Sequence, residues 1–225
     1  MEKEHLKLSH RLYNSVQDIW PAYLEHPFVL EMAQGTLPPE KFRYYMLQDY
    51  VYLRDYVKIF AACISKADDF GLIRFFGENI MAVLDETERV HIPYMKRLGI
   101  TDEEIESVTP HISNSSYSHY MICEAQSGTV LSGLVALLNC SWAYAYIGEN
   151  MVKRFPDAVQ HPWYGQWFSG YVCDDYLRTN QQLIDMVDSL SEGITAQESS
   201  RLCGIFRTCS LHELQFWNMA YAAGK

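Results

Sequence analysis

The stretch at residues 127–151, SGTVLSGLVALLNCSWAYAYIGENM, constrains the fold more than any other part of this chain. Across residues 130–147 its only polar side chains are Ser132, Asn139, Ser141, Tyr144 and Tyr146. A helix that is apolar on all sides either crosses a membrane or is enclosed by other protein elements. Gly133, Asn139, Cys140 and Ser141 in the middle of the run, and amphipathic segments around it, favour enclosure. The expectation is a central helix with the rest of the chain packed about it. Cys140 and Tyr144 lie four residues apart and share a face of that helix. They either line a pocket or sit in the core, free cysteine being among the most buried residue types.

The flanking segments read as helices in turn. Apolar positions at Leu12, Val16, Ile19, Trp20 and Tyr23 predict a helix over residues 6–23. Residues 28–34 predict a short helix that Gly35 closes in the left-handed conformation. Residues 40–65 hold no interior glycine or proline and predict one long helix, entered through Pro38 and Pro39. Another is expected over residues 68–98, kinked by Pro93 and ended by Gly99. Thr101 and Glu104 form a capping-box pattern before a short helix. Residues 110–116 read as a polar loop and residues 117–126 as a short helix. Residues 161–190 read as helix interrupted at Gly165 and Gly170, and a capping-box pattern at Thr195 and Glu198 starts a last helix ending near Ala222. No segment alternates with period two and no internal repeat is evident. The expected fold is all-α, a single-domain multi-helix bundle over residues 1–225.

The formal charge of −10 and pI near 5.2 argue against the basic surface that nucleic acid or an anionic membrane would require. Six cysteines are scattered through helical segments without a CxxC pair, and the N-terminal MEKEHLKLSHRLYNSV lacks the apolar run of a signal peptide. A cytoplasmic protein with reduced thiols is expected.

Three places attract attention as chemistry. Asp49, Tyr52 and Tyr56 fall on one helix face among apolar neighbours, where a carboxylate is expensive unless it is paired or binds something. The ordinary alternative for Asp49 is the surface. Glu213 lies four residues before Trp217 in an aromatic face, its alternative being a solvated edge beside His212. Trp163, Tyr164, Trp167, Phe168 and Tyr171 form an aromatic concentration that suits core or a subunit interface better than a ligand box. A di-iron bundle needs Glu-x-x-His pairs on facing helices; the groups at Glu86, Glu88 and His91, and at His119 and Glu124, do not supply that set, so no metal is expected. Phosphate-loop, dinucleotide and Gly-x-Ser-x-Gly signatures are absent.

Read as a block, HPFVLEMAQGTLPPEKFRYYMLQDYVYL at residues 26–53 resembles the HPF, G-x-L, F-x-x-Y-x-x-QD-x-x-YL signature of the TenA family, also called thiaminase II. CSWAYAYIGE at residues 140–149 and ELQFWNMAY at residues 213–221 are similar to that family's C-x-W-x-Y and E-x-x-FW-x-M segments. The three lie in the family's order and span nearly the whole chain. The resemblance implies a heme-oxygenase-like helical fold without heme, a homotetramer, and no cofactor. It implies hydrolysis of 4-amino-5-aminomethyl-2-methylpyrimidine to the hydroxymethylpyrimidine and ammonia, or of thiamin to hydroxymethylpyrimidine and the thiazole alcohol. Carried over by position, Cys140 is the nucleophile, Glu213 the acid/base and Asp49 the group that grips the aminopyrimidine. Tyr52, Tyr117, Tyr144 and Tyr171 line the pocket. After Tyr171 the chain reads Val172-Cys173-Asp174-Asp175 where the family usually shows Ser-x-Glu-Glu. Two other classes stand beside this reading: a cofactor-free or metal-dependent oxidase on the same fold, and a non-catalytic pyrimidine-binding or regulatory protein. Metal analysis separates the first, and retention of the cysteine, glutamate and aspartate speaks against the second.

Overall fold

The structure is a computed structural model describing residues 6–223; residues 1–5, part of the stretch read above for a signal peptide, and 224–225 lie outside the described residues. Twelve α-helices carry it: α1 (Leu8–Asn14), α2 (Trp20–Leu24), α3 (Pro27–Gln34), α4 (Pro39–Ile64), α5 (Phe70–Glu86), α6 (Ile92–Arg97), α7 (Asp102–Ser107), α8 (Ile112–Ser127), α9 (Val130–Arg154), α10 (Gly165–Tyr171), α11 (Asp174–Leu190) and α12 (Ala196–Ala222). Among the described residues there is no strand, so the all-α expectation holds.

The apolar run is α9, and it is enclosed. Leu131 through Asn139 are buried without exception, and α4, α8, α10, α11 and α12 all pack against this helix. It is long and apolar enough to cross a membrane, but 72% of its most apolar window is buried against its neighbours. Its polar interruptions donate to those neighbours, although Asn139 Oδ1 has no partner among the described residues. Asn139 Nδ2 donates to the Phe206 carbonyl at 2.9 Å and to Ser210 Oγ at 2.7 Å, tying α9 to α12. Ser141 Oγ donates to Asn180 Oδ1 of α11 at 2.9 Å.

Long uninterrupted segments became helices where expected: α4 runs unbroken, and Gly35 closes α3 at φ 75°. Elsewhere the structure differs for local reasons. The helix expected over residues 6–23 is two, α1 and α2, separated by a turn. Pro21 sits in the first turn of α2, where its missing N–H and its ring forbid a continuous helix through the preceding turn. Of the loop expected at residues 110–116, only 110 and 111 lie outside helix; residues 112–116 begin α8. The His111 ring accepts from Ser113 N at 3.1 Å as an N-cap, and Gln48 of α4 accepts from His111 N at 2.8 Å. Asn114 Nδ2 then donates to the Gln48 carbonyl at 2.7 Å, so tertiary hydrogen bonds hold this serine-rich turn helical. Of the helix expected over residues 161–190, residues 161–164 form a turn and helix starts only at Gly165, as α10; the break after it falls at residues 172–173 and not at Gly170.

Pro93 perturbs its helix by an extra residue. Residues Thr87–His91 form a π-helical turn between α5 and α6, with Ile92 N donating to the Thr87 carbonyl. The proline ring cannot accept the regular packing of the turn before it, and a π-turn absorbs the mismatch. A turn of this kind rotates every side chain in it relative to the helix before. Its last residue is His91, buried.

Gly133 marks the closest approach of three helices. A Cβ there would stand 2.5 Å from Cys63 Sγ of α4 and 3.0 Å from Ala125 Cβ of α8. Gly133→Ala is therefore expected to destabilise the fold by about 1–3 kcal/mol through overpacking. Thermal denaturation checks this, and adding Cys63→Ala should recover part of the loss. A single variant as stable as the parent would contradict the close contact.

Candidate active site

Five elements enclose one cavity of about 500 Å³. Helix α4 supplies Asp49, Tyr52 and Tyr56 to its wall, α9 supplies Cys140 and Tyr144, and α10 supplies Tyr171. Helix α5 and its π-turn add Glu86 and His91, and α11 adds Tyr176. The helical spacing that put Asp49 beside Tyr52 and Cys140 beside Tyr144 survives in three dimensions, and α4 and α9 face those stripes toward each other. Glu213 and Tyr117 do not line the cavity. They stand behind Cys140 and Tyr52, at the join of α12 and α8.

Asp49 is not at the surface. It is 5% exposed, and its Oδ2 lies 2.9 Å from Nε2 of His91. Burial opposes a charge on His91, but the hydrogen bond and charge of Asp49, with Glu86 adding to them, outweigh it and raise its pKa. Burial likewise raises the pKa of Glu86.

Glu213 is not a solvated edge. It is 2% exposed, and its Oε2 has no hydrogen-bond partner among the described residues. Burial pushes its pKa up to about 8, the charge of Asp49 contributing in the same direction while the Tyr117 hydroxyl and Cys140 thiol pull it back. The carboxyl thus holds its proton near neutrality. Cys140 responds to the same surroundings: burial first, then the Glu213 carboxylate, raise its thiol, and the Tyr52 hydroxyl is the neighbour that lowers it.

The aromatic wall is interlocked. Tyr117 stacks on Tyr52 with centroids 5.3 Å apart and on His212 at 5.5 Å. Tyr144 and Tyr171 meet at 4.8 Å. Tyr45 and Tyr144 share a hydroxyl hydrogen bond at 3.2 Å, and Trp167 Nε1 donates to Tyr45 at 3.1 Å. Tyr56 donates to the Leu137 carbonyl at 3.0 Å, and Tyr176 to that of Ser141 at 3.0 Å. Of the aromatic concentration at residues 163–171, Tyr164, Trp167 and Phe168 are buried within the chain and Trp163 is exposed. His91 and Glu86 were weighed on sequence only as metal ligands; their place in this wall follows from the π-turn. Among the described residues, no group of three His, Cys, Asp or Glu side chains is arranged to hold a metal ion.

A family model described as the TENA/THI-4/PQQC family matches residues 13–223. The chain belongs to this family. It is 36% identical over 216 residues to the aminopyrimidine aminohydrolase of Helicobacter pylori, covering 96% of this chain and 99% of that protein. It is 39% identical over 210 residues to the aminopyrimidine aminohydrolase of Halalkalibacterium halodurans, covering 93% of each. The TenA homologue of P. horikoshii OT3 superposes with a TM-score of 0.87 at 31% identity, over 97% of this chain and 100% of that one. A domain of unknown function from Shewanella denitrificans OS217 with a heme oxygenase-like fold superposes at 0.77 and 16% identity over 97% and 93%, which shows the fold alone.

The buried proton of Glu213 has a measurable consequence. Its ordinary pKa of 4.5 rises to about 8 in the fold, so between those values the folded state holds a proton that the unfolded chain has lost. Stability through this group therefore falls as pH rises across that window, on the order of 1.4 kcal/mol per pH unit. Glu213→Gln, which stays neutral, is expected to gain on the parent as pH is raised from about 5 to about 8. Denaturant midpoints at both ends check it; a constant gap would mean that Glu213 is ionised when folded.

Proposed function

We propose that this chain is an aminopyrimidine hydrolase that releases ammonia from 4-amino-5-aminomethyl-2-methylpyrimidine and also cleaves thiamin. One observation supports this above the rest: the Cys140 thiol and the Asp49 carboxylate line a single aromatic cavity, and the protonated carboxyl of Glu213 stands directly behind the thiol. Cys140 is the nucleophile, Glu213 the acid/base and Asp49 the anchor.

A protonated aminopyrimidine presents two adjacent N–H donors, which Asp49 accepts with its carboxylate. The contacting rings of Tyr144 and Tyr171 form one wall against the heterocycle and exclude water there, which strengthens that pair. Ring protonation draws electrons from the carbons, and Cys140 Sγ adds to one of them. Its proton passes to the open Oε2 of Glu213 while the other carboxyl oxygen donates to the departing amine. The exocyclic C–N bond breaks and ammonia leaves. Water then adds to the exposed methylene, gives its proton back through Glu213, and the C–S bond breaks to restore the thiol. Burial keeps Cys140 neutral in the empty site, so attack waits for the cationic ring and the Tyr52 hydroxyl to stabilise the thiolate.

The functional unit is a homotetramer. Phe70, Ile73, Met81 and Leu84 form one exposed apolar stripe along α5, with Phe70 89% exposed, and a second copy covers it. The protein works in the cytoplasm, where its six free cysteines stay reduced. Light scattering that returns the 26.1 kDa monomer across a wide concentration range would refute the assembly.

Ammonia release from the aminomethylpyrimidine, with thiamin assayed in parallel, tests the activity. Cys140→Ser is expected to lose turnover by at least 100-fold, about 2.7 kcal/mol or more, while still binding pyrimidine. A variant retaining about a tenth of the rate would remove the covalent role. Asp49→Asn places a donor against a ring N–H and should cost binding on the order of 2–4 kcal/mol. Glu213→Gln should lose turnover with product binding nearly intact, and titration of hydroxymethylpyrimidine into both separates the roles. Equal binding losses would reverse the assignment.

A further inference from the structure

His91 is the one basic group in the cavity wall. Asp49 faces it from α4, Glu86 from α5, Cys140 and Tyr144 from α9, Tyr171 from α10, and Asp175 and Tyr176 from α11; among the described residues lining the cavity there is no lysine or arginine. Asp175 is drawn outward to Arg178, at 2.7 Å. In the empty site, therefore, the only charge that can balance buried Asp49 is an imidazolium at His91, 2.9 Å away. The π-turn at Thr87–His91 fixes that meeting, since it re-aims the side chain of its last residue.

The reading above brings a second cation to the same carboxylate. A ring-protonated pyrimidine on Asp49 would share one buried negative charge with the imidazolium, and like charges so close in a low-dielectric site are strongly disfavoured. We propose that His91 is a positioning residue that holds a proton against Asp49 in the empty cavity and surrenders it when a protonated pyrimidine ring binds. The balance is simple. A neutral ligand gains one N–H bond at a ring nitrogen, His91 loses one N–H bond at Nδ1, which has no hydrogen-bond partner among the described residues, and no other bond changes, so Nε2–H stays on Asp49 Oδ2. The neutral imidazole then still orients Asp49 through its remaining hydrogen bond. Binding of a cationic ring thus leaves the charge of the cavity unchanged, and the site favours ligands basic enough to take the proton.

The inference rests on the proposed function, and its test separates the two. The probe is 4-amino-5-hydroxymethyl-2-methylpyrimidine, titrated into the whole protein near pH 7 in buffers of different ionisation enthalpy. His91→Gln keeps a donor for Asp49 but has no proton to lose. It is expected to take up most of one proton more per ligand than the parent. Its affinity should then fall by up to about tenfold per pH unit as pH rises from 6.5 to 7.5, while that of the parent stays nearly flat. A merely structural role would weaken binding without moving either quantity. Equal proton uptake in the two proteins overturns the inference and leaves the site reading standing. No binding by either protein overturns the site reading and this inference together. Should His91→Gln fail to fold, nitrogen-15 NMR of the labelled parent decides it: the His91 ring is expected doubly protonated when free and singly protonated with the probe bound. An imidazolium that persists in the complex overturns the inference.

Discussion

Everything in this molecule depends on enclosing α9. Over its most apolar stretch this 25-residue helix has apolar side chains on every face, so seven other helices pack around it. Enclosure on that scale makes the interior dry, and dryness sets the chemistry. Cys140 sits on the helix that is most completely surrounded, and the groups able to reach it, Tyr52 and Glu213, come from neighbours that are buried for the same reason. The core and the reactive cavity are therefore one construction.

The two carboxyl groups of the site have different neighbours. Asp49 has His91 beside it, while Glu213 has no cation and retains its proton to about pH 8. Two carboxyl groups of similar intrinsic acidity thus differ in behaviour, one suited to accept N–H donors from a cationic ring and the other to deliver a proton. The aromatic shell maintains the difference by excluding water. Its hydroxyls are tied to backbone carbonyls or to each other, as with Tyr56 on Leu137 and Tyr45 on Tyr144, so the wall keeps its shape without adding charge.

Parts of the site that lie on single long helices were legible in the sequence. Within α4 the spacing of Asp49 and Tyr52, and within α9 that of Cys140 and Tyr144, decides which side chains share a face wherever the helix is placed. Glu213, which a family motif contains, and Tyr117, which only its position suggests, lie one layer behind the cavity, which no spacing reveals. In the sequence His91 stands out only as a candidate metal ligand near a proline. Its direction depends on the π-turn before Pro93, and its partner depends on where α4 places Asp49. The start of α8 departs from the expected loop for a similar reason, because a run of serines has no strong preference and Gln48, more than sixty positions earlier, makes it helical.

By itself the sequence determined that the chain is helical, that residues 130–147 are enclosed, and which residues share each helix face. These follow from local periodicity and from the energetic requirement to bury apolar surface. Tertiary structure alone decided that the faces of α4 and α9 look into the same cavity, that Glu213 is cut off from solvent, and that His91 reaches Asp49. Such facts are relations between helices. They are set by packing and by the dielectric that packing creates, quantities that no stretch of sequence carries on its own.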